Sequence, residues 1–389
     1  MIHSIPLSKM ERVVLADRII PALRSEVDRL ASRSIFIIAS GSLREKTRII
    51  NEICHELGSL VKGIYSEVPA HTPIQSVLDC SNMARKYDID LVLTIGGGSV
   101  TDAGKAVCLC LHYGISDEKQ LQSFFNSLDE AGRRIEPEFE APRIIQLAVP
   151  STLSGGEFNF RAGLTDRHTG IKRILGVPLM IPSSVVLCPE VSRLTPNDLF
   201  FSTGIRALDH AIETLFSLDA NSYSDALALQ AVRLLRHGLT GLHANEDNDK
   251  ARMDCHVGAW LSMGGVVSRM RMGASHAIGH VLGSKADVPH GLTSCVILPS
   301  VLRFNGPAIA PEKREMLCDA LGDASGSAAD FVHSFIRSLG LPSQIRECNV
   351  KKDMLPVIAE LCMKESWIYS NPREISESSD ILQILQDAY

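Results

Sequence analysis

The sequence predicts an α/β amino-terminal domain followed by an all-α carboxy-terminal domain. In the first half, short apolar runs rich in β-branched residues alternate with stretches of helical spacing. Beyond about residue 195, long helical patterns succeed one another with hardly a strand-like run. The length, 389 residues, also asks for two domains, because single hydrophobic cores stop growing at roughly 250–300 residues. The division is placed at residues 1–190 and 191–389.

The run 34–40 (SIFIIAS) is short, apolar and β-branched, and Gly41 ends it. Residues 47–61 place Ile50, Cys54, Leu57 and Val61 near one helical face. A strand at 61–68 and a helix at 74–87 follow, then a strand and turn (DLVLTIGGGSV), a helix (TDAGKAVCLCLHYG) and a strand ending at Pro150. This alternation implies a parallel sheet covered on both faces. The polar stretch 117–142 reads as a helix and loop inserted before the last of these strands. Helices are then expected over 198–218, 224–242, 250–270 and 327–340. A cleft between two such domains is a favoured place for a ligand.

Hydrophobic residues make up 45% and charged residues 22%, as in ordinary globular proteins. The net charge of −6 offers no basic surface for nucleic acid or anionic lipid. The first residues lack the pattern of a secretory signal, and no apolar run approaches the ~18 residues of a membrane span. Ten cysteines are scattered, and the closest pair, Cys108 and Cys110, is neither a redox CxxC nor a zinc half-site. They read as small buried hydrophobes in a reducing compartment, so the cytoplasm is expected.

The clearest local chemistry is LVLTIGGGSVTDAGK, residues 91–105. An apolar strand runs into Gly96, Gly97, Gly98 and Ser99, then a helix. Glycines let backbone N–H groups approach an anion, and a helix start adds unpaired donors and a favourable dipole. Asp102 falls where it could cap the helix or hold a ribose hydroxyl, and Lys105 supplies charge. The spacing is not GxGxxG, so a tight structural turn and a phosphate cradle both remain open.

A second cluster is GASHAIGHVLGSKADVPHG. His276 and His280, four apart, share a helical face, and His290 opens the next element after Pro289. His210 lies in GIRALDHAIETLF. Imidazoles on facing helices make a metal site, or a site for proton transfer and anion binding. Other histidines, such as His3, His112, His168, His237 and His243, read as ordinary core or surface residues.

Together these segments resemble the iron-containing alcohol dehydrogenase superfamily, most closely its maleylacetate reductase branch. The family's GGGSxxDxxK is matched by Gly96, Gly97, Gly98, Ser99, Asp102 and Lys105. A second cofactor loop corresponds to PSTLSGGEF, with Ser151, Thr152, Ser154, Gly155 and Glu157, and a GxK element to Gly170, Ile171 and Lys172. The form HxxxHxLGxxxxxPHG is matched by His276, His280, Leu282, Gly283, Pro289, His290 and Gly291. Asn371, Pro372 and Arg373 repeat a short family motif near the end. The resemblance implies a Rossmann-like amino-terminal domain and a helical carboxy-terminal one, the fold shared with dehydroquinate synthase. It also implies an NADH or NADPH cofactor and a homodimer.

One departure matters. Metal-dependent members hold iron or zinc with an Asp and three His, the Asp four residues before the first His; here that position is Arg206. A guanidinium cannot ligate a metal and stays protonated, so a divalent metal on His210, His276 and His290 is not expected. Asp209, adjacent to His210, falls on a different helical face and reads as a poor substitute. Arg206 is expected to take over the metal's electrostatic role, or else to pair with Asp209 or Glu213 in a structural bridge.

The resemblance thus implies an NAD(P)H-dependent reductase of a small acidic oxo compound, acting in aromatic-compound breakdown. The cofactor lies on Gly96–Ser99, Ser151, Thr152, Ser154 and Lys172, and His280 or His276 donates the proton. His210, His290 and Arg206 orient the anionic substrate. Ser40, Ser42 and Arg44 follow the first strand, where an acidic residue would select NAD, so either dinucleotide is allowed. The rival readings are a metal-dependent alcohol dehydrogenase for neutral substrates and a lyase resembling dehydroquinate synthase.

Overall fold

A computed structural model describes residues 4–128, 134–167 and 170–389. The chain divides into two compact units. The α/β unit holds residues 8–152 and 156–195; the helical unit holds the start of the chain as far as Leu7, the tripeptide Leu153–Gly155, and Pro196–Tyr389.

In the α/β unit the elements run β1 (Arg12–Leu15), α1 (Ile19–Arg29), β2 (Ile35–Ala39), α2 (Gly41–Lys46), α3 (Ile49–Leu57) and β3 (Val61–Tyr65). Next come α4 (Ile74–Ala84), β4 (Leu91–Gly96), α5 (Gly98–Tyr113) and α6 (Glu118–Leu121). A short antiparallel pair follows, β5 (Ser127–Leu128) with β6 (Arg134–Ile135), then β7 (Ile145–Pro150). The hairpin β8 (Ala162–Thr165) with β9 (Lys172–Leu175), then β10 (Ser184–Leu187) and α7 (Pro189–Ser192), complete the unit.

Six strands form one parallel sheet in the order β1-β10-β7-β4-β2-β3. The pleat sends alternate side chains to opposite faces. Ile35, Ile37, Ala39, Leu91, Leu93 and Ile95 join the core under α1 and α3, whereas Phe36, Ile38 and Val92 join the core under α4 and α5. Burial on both faces is why β2 is apolar at every position and β4 at all but Thr94 and Gly96. The expected strands and helices of this half are present. β1 and β10, four residues each, go beyond the sequence reading, being too short for a periodic signal. The insert 117–142, expected as a helix and loop, holds the short helix α6 and also the two-residue strands β5 and β6; residues 129–133, like His3 and His168, lie outside the described part.

The helical unit runs α8 (Asn197–Phe216), α9 (Ser222–Ala244), α10 (Asp249–Ser262), α11 (Gly264–Val267), α12 (Ala274–Ala286) and α13 (His290–Asn305). It ends with α14 (Pro311–Leu321), α15 (Ala328–Ser338), α16 (Leu355–Cys362) and α17 (Ser378–Asp387). Two apolar clusters form its interior, one around α8, α9 and α10, the other around α12, α13, α16 and α17. Every residue of α8 from Phe200 to Phe216 is buried, so its polar side chains must find partners inside the protein. Eight of the ten cysteines are buried and all are free thiols. No described helix is long and apolar enough to cross a membrane.

Candidate active site

Strand order reverses between β2 and β4: β3 lies on one side of β2, while β4, β7, β10 and β1 continue on the other. In open α/β sheets the crevice at the carboxyl ends of such a pair is where ligands bind. The glycine turn is at that end of β4. A Cβ on Gly96 would lie 2.9 Å from Val100 Cγ2, where something must shift, and one on Gly97 would lie 3.2 Å from Thr152 Cγ2, a tight contact that Thr152 would have to relieve. Helix α5 starts at Gly98 with Gly97 as N-cap, and no side chain caps it. Its first N–H groups therefore face outward from a 16-residue dipole, the arrangement that suits a phosphate.

Around the turn, Ser151 and Thr152 are buried at the end of β7, and Ser151 donates its N–H to Gly96 O at 2.9 Å. His71 and Thr72, both at positive φ, bring a further loop alongside: His71 N–H donates to Ser99 Oγ and Thr72 Oγ1 to Ser99 O. Lys172 lies on β9, its stem crossing the space that Gly163 leaves open. Ser154 is half-buried in the segment belonging to the helical unit.

Lys105 departs from expectation. Its side chain is fully buried, and Nζ donates to Asp102 Oδ1 (3.0 Å), Gly156 O (2.7 Å) and Arg161 O (2.8 Å). With its three donors used, it clamps α5 to the loop and hairpin beyond and does not serve a phosphate. Asp102 is likewise engaged through its second oxygen, which accepts from Gly163 N–H at 3.0 Å. Beside them Glu157 is buried, and burial pushes its carboxyl up to about 7.

In the helical unit, α8 projects Arg206, Asp209, His210 and Glu213 at spacings of three, one and three, one stripe of the helix. All are buried. Arg206 Nη1 donates to Ser294 Oγ (3.0 Å) on α13 and stands 3.7 Å from Asp209 Oδ2. That oxygen also accepts from Ser275 Oγ (2.8 Å) and Ser294 Oγ (2.6 Å). Asp209 thus lies on the same stripe as Arg206, correcting the expectation that it faces elsewhere; the relevant spacing is three residues from Arg206, not one from His210. Arg206 turns inward and is paired, which balances part of the charge expected to serve a substrate.

Glu213 accepts N–H bonds from Gly273 (2.9 Å) and Ser275 (2.8 Å) at the start of α12 and meets His276 Nδ1 at 2.7 Å. Asn371, from the Asn-Pro-Arg motif, accepts Ala274 N–H at 3.1 Å and exchanges amide bonds with Asn305. Burial raises the carboxyls of Asp209 and Glu213 and, with Arg206 nearby, holds His210 and His276 well below the usual imidazole range. Arg206 Nε, Asp209 Oδ1, His210 Nδ1 and His276 Nε2 are buried without a partner among the described residues.

The four histidines do not converge on one point. His210 and His276 pair in the interior, ring centroids 4.6 Å apart, whereas His280 and His290 stack at 6.0 Å nearer the surface. Trp367 bridges them, 6.1 Å from His276 and 5.1 Å from His280, and Glu365 reaches His280 Nδ1 at 3.5 Å. Among the described residues, the one set of three His, Cys, Asp or Glu side chains whose ligand atoms all lie within 4.8 Å is Asp209, Glu213 and His276. It includes neither His210 nor His290. Glu365 and Trp367 escaped the sequence reading; Glu213 entered it only as a possible bridge partner of Arg206, seven residues away on the same helical stripe, and its contact with His276 was not foreseen.

This fold and these motifs place the chain among the dehydrogenases and reductases. It belongs to the iron-containing alcohol dehydrogenase family. Residues 11–189 match the model described as iron-containing alcohol dehydrogenase, and residues 200–389 match the carboxy-terminal model of the Fe-containing alcohol dehydrogenase family. The chain is 30% identical to dehydrogenase FUM7 of Gibberella moniliformis, covering 92% of this chain and 91% of that protein. It is 27% identical to a maleylacetate reductase of Sphingobium indicum, covering 97% and 95%. The solved maleylacetate reductase of Agrobacterium tumefaciens superposes with a TM-score of 0.82 at 25% identity, covering 100% of this chain and 99% of that one. The protein is an oxidoreductase of this family.

Proposed function

We propose that the protein is an NAD(P)H-dependent reductase of a small, acidic oxo compound of the maleylacetate kind, working without a resident metal. The observation that carries this is Arg206, a buried guanidinium beside His210 and His276 where metal-dependent relatives place a carboxylate ligand. Several relatives of similar identity are maleylacetate reductases, which favours a dicarboxylate substrate.

The residues fit a dinucleotide: the uncapped start of α5 offers N–H groups to a pyrophosphate, and Gly97 leaves the backbone open beside Thr152. Ser151, Thr152 and Lys172 are assigned to the rest of the cofactor, with Ser154 from the same loop. When bound, the reduced nicotinamide supplies the hydride. His280 or His276 hands a proton to the forming alkoxide, and Arg206, His210 and His290 orient the substrate.

A divalent cation fits poorly. Glu213 is engaged by two backbone N–H groups and His276, and Asp209 by two hydroxyls and the guanidinium, which would face the ion at close range. The alternative is a metal-dependent alcohol dehydrogenase, favoured by 30% identity to a 1,3-propanediol dehydrogenase of Citrobacter freundii. The two are separated by following NADH and NADPH oxidation with maleylacetate, with and without a strong chelator. Chelator-resistant turnover is expected. Turnover of neutral aldehydes alone, and only after adding Fe(II) or Zn(II), would reverse the assignment, and no net NADH oxidation would point to a lyase.

A further inference from the structure

We infer that Glu213 is a positioning residue that fixes the ring of His276 with Nδ1 turned to its own carboxylate and Nε2 turned to the reacting group. This rests on the reductase reading for its catalytic meaning, but the geometry stands on its own. Glu213 is on α8 and His276 in the first turn of α12, and the two meet at 2.7 Å with both side chains buried. Glu213 is itself held. Oε1 accepts from Ser275 N–H, and Oε2 accepts from Gly273 N–H and from His276 Nδ1. Two backbone N–H groups already donate to its two oxygens, which favours the ionised, accepting form over the protonated one that burial promotes, so the imidazole proton is drawn to Nδ1.

Nε2 of His276 is buried with no partner among the described residues. With the proton on Nδ1, it presents a lone pair. Beside it are His210, 4.6 Å away between ring centroids, and Arg206, whose guanidinium can only donate. The buried end of the site therefore pairs an acceptor, His276, with a donor, Arg206. A hydroxyl beside a carboxylate oxygen, as the hydroxy-acid product of the reduction offers, is matched there. His276 in this state cannot give a proton to an alkoxide. Proton donation then falls to His280, which is more exposed and meets Glu365 through Nδ1 at 3.5 Å. Burial and the neighbouring Arg206 keep the His276 imidazole neutral, in agreement with this arrangement.

The test uses the full-length protein with ¹⁵N-labelled histidine side chains. His276, identified by its loss in His276→Gln, is expected to show a protonated Nδ1 and an unprotonated Nε2. In Glu213→Gln one oxygen becomes an amide donor, so this single form is expected to give way to a mixture. With it, kcat falls at least tenfold while KM for the dinucleotide stays within about twofold. A wild-type spectrum with the proton on Nε2 overturns the inference, as does a Glu213→Gln enzyme with spectrum and kcat both unchanged. If Glu213→Gln does not fold, the wild-type spectrum still decides. Failure of the reductase reading appears separately, as a wild-type protein that reduces no oxo acid yet keeps the His276 spectrum.

Discussion

Arg206 and His256 show how one helical interior treats two cationic side chains. Arg206 keeps company with Asp209 and the Ser294 hydroxyl, since removing a charge from water is tolerable only when partners replace the solvent. His256 on α10 takes the other course and gives up its charge. It packs edge-to-face against Phe200, with the buried Arg252 over the same ring, and burial lowers it to about 3, Arg252 adding to the effect. The unfolded chain binds this proton near 6.5 and the folded chain only near 3, so between those values the unfolded state holds more protons. Stability is therefore lost as pH falls through this window, by about 1.4 kcal/mol per unit from this one group. Urea unfolding at pH 6.5 and pH 4.5 should show His256→Gln losing about 2–3 kcal/mol less than the wild type over those two units. Equal losses would mean that His256 is not the acid-sensitive group.

At the scale of elements, the working part is the start of α12. Its first N–H groups are met from two sides, by Glu213 on α8 and by Asn371 from the Asn-Pro-Arg motif, which α13 steadies through Asn305. These bonds replace the local cap that Gly273 cannot supply. Asn371→Ala should orphan Ala274 N–H and the Asn305 amide, lowering the unfolding free energy by about 2–4 kcal/mol. Asn371→Asp, which keeps the acceptor for Ala274, should lose less. A loss below about 0.5 kcal/mol in chemical denaturation would show that the motif does not hold the helix. The elements themselves were legible. β2, β4 and β7 are largely apolar runs buried on both faces, His276 and His280 share α12 as their spacing indicates, and α13 starts at His290 after Pro289. β1 and β10 were not, because four residues carry no usable period.

For the whole molecule, the two units have separate apolar clusters, two in the α/β unit and two in the helical one. Separate cores commonly melt as separate steps. Calorimetry should therefore give more than one transition, with a calorimetric enthalpy above the van't Hoff value. NADH or NADPH should raise the transition of the α/β unit, whose glycine turn is assigned to the pyrophosphate, by about 2.7 kcal/mol at a hundredfold excess over Kd. One transition with equal enthalpies would contradict this division.

What the chain carries in its order of residues is local. Period-two and period-3.6 patterns give the sheet and the helices, the glycines mark where a strand turns into α5, and the spacing of His276, His280 and His290 gives the family resemblance. What folding alone decides is which polar groups share a buried space. Lys105 reads as a cation for a phosphate and becomes an internal clamp, because its donors meet carbonyls more than fifty residues away. Asp209 and Glu213 read only as possible bridge partners of Arg206; in the fold Asp209 takes that place and Glu213 meets His276, more than sixty residues away. Such pairings follow from burial, which forces each polar atom to find a partner wherever the packed helices bring one, and no local pattern records that meeting.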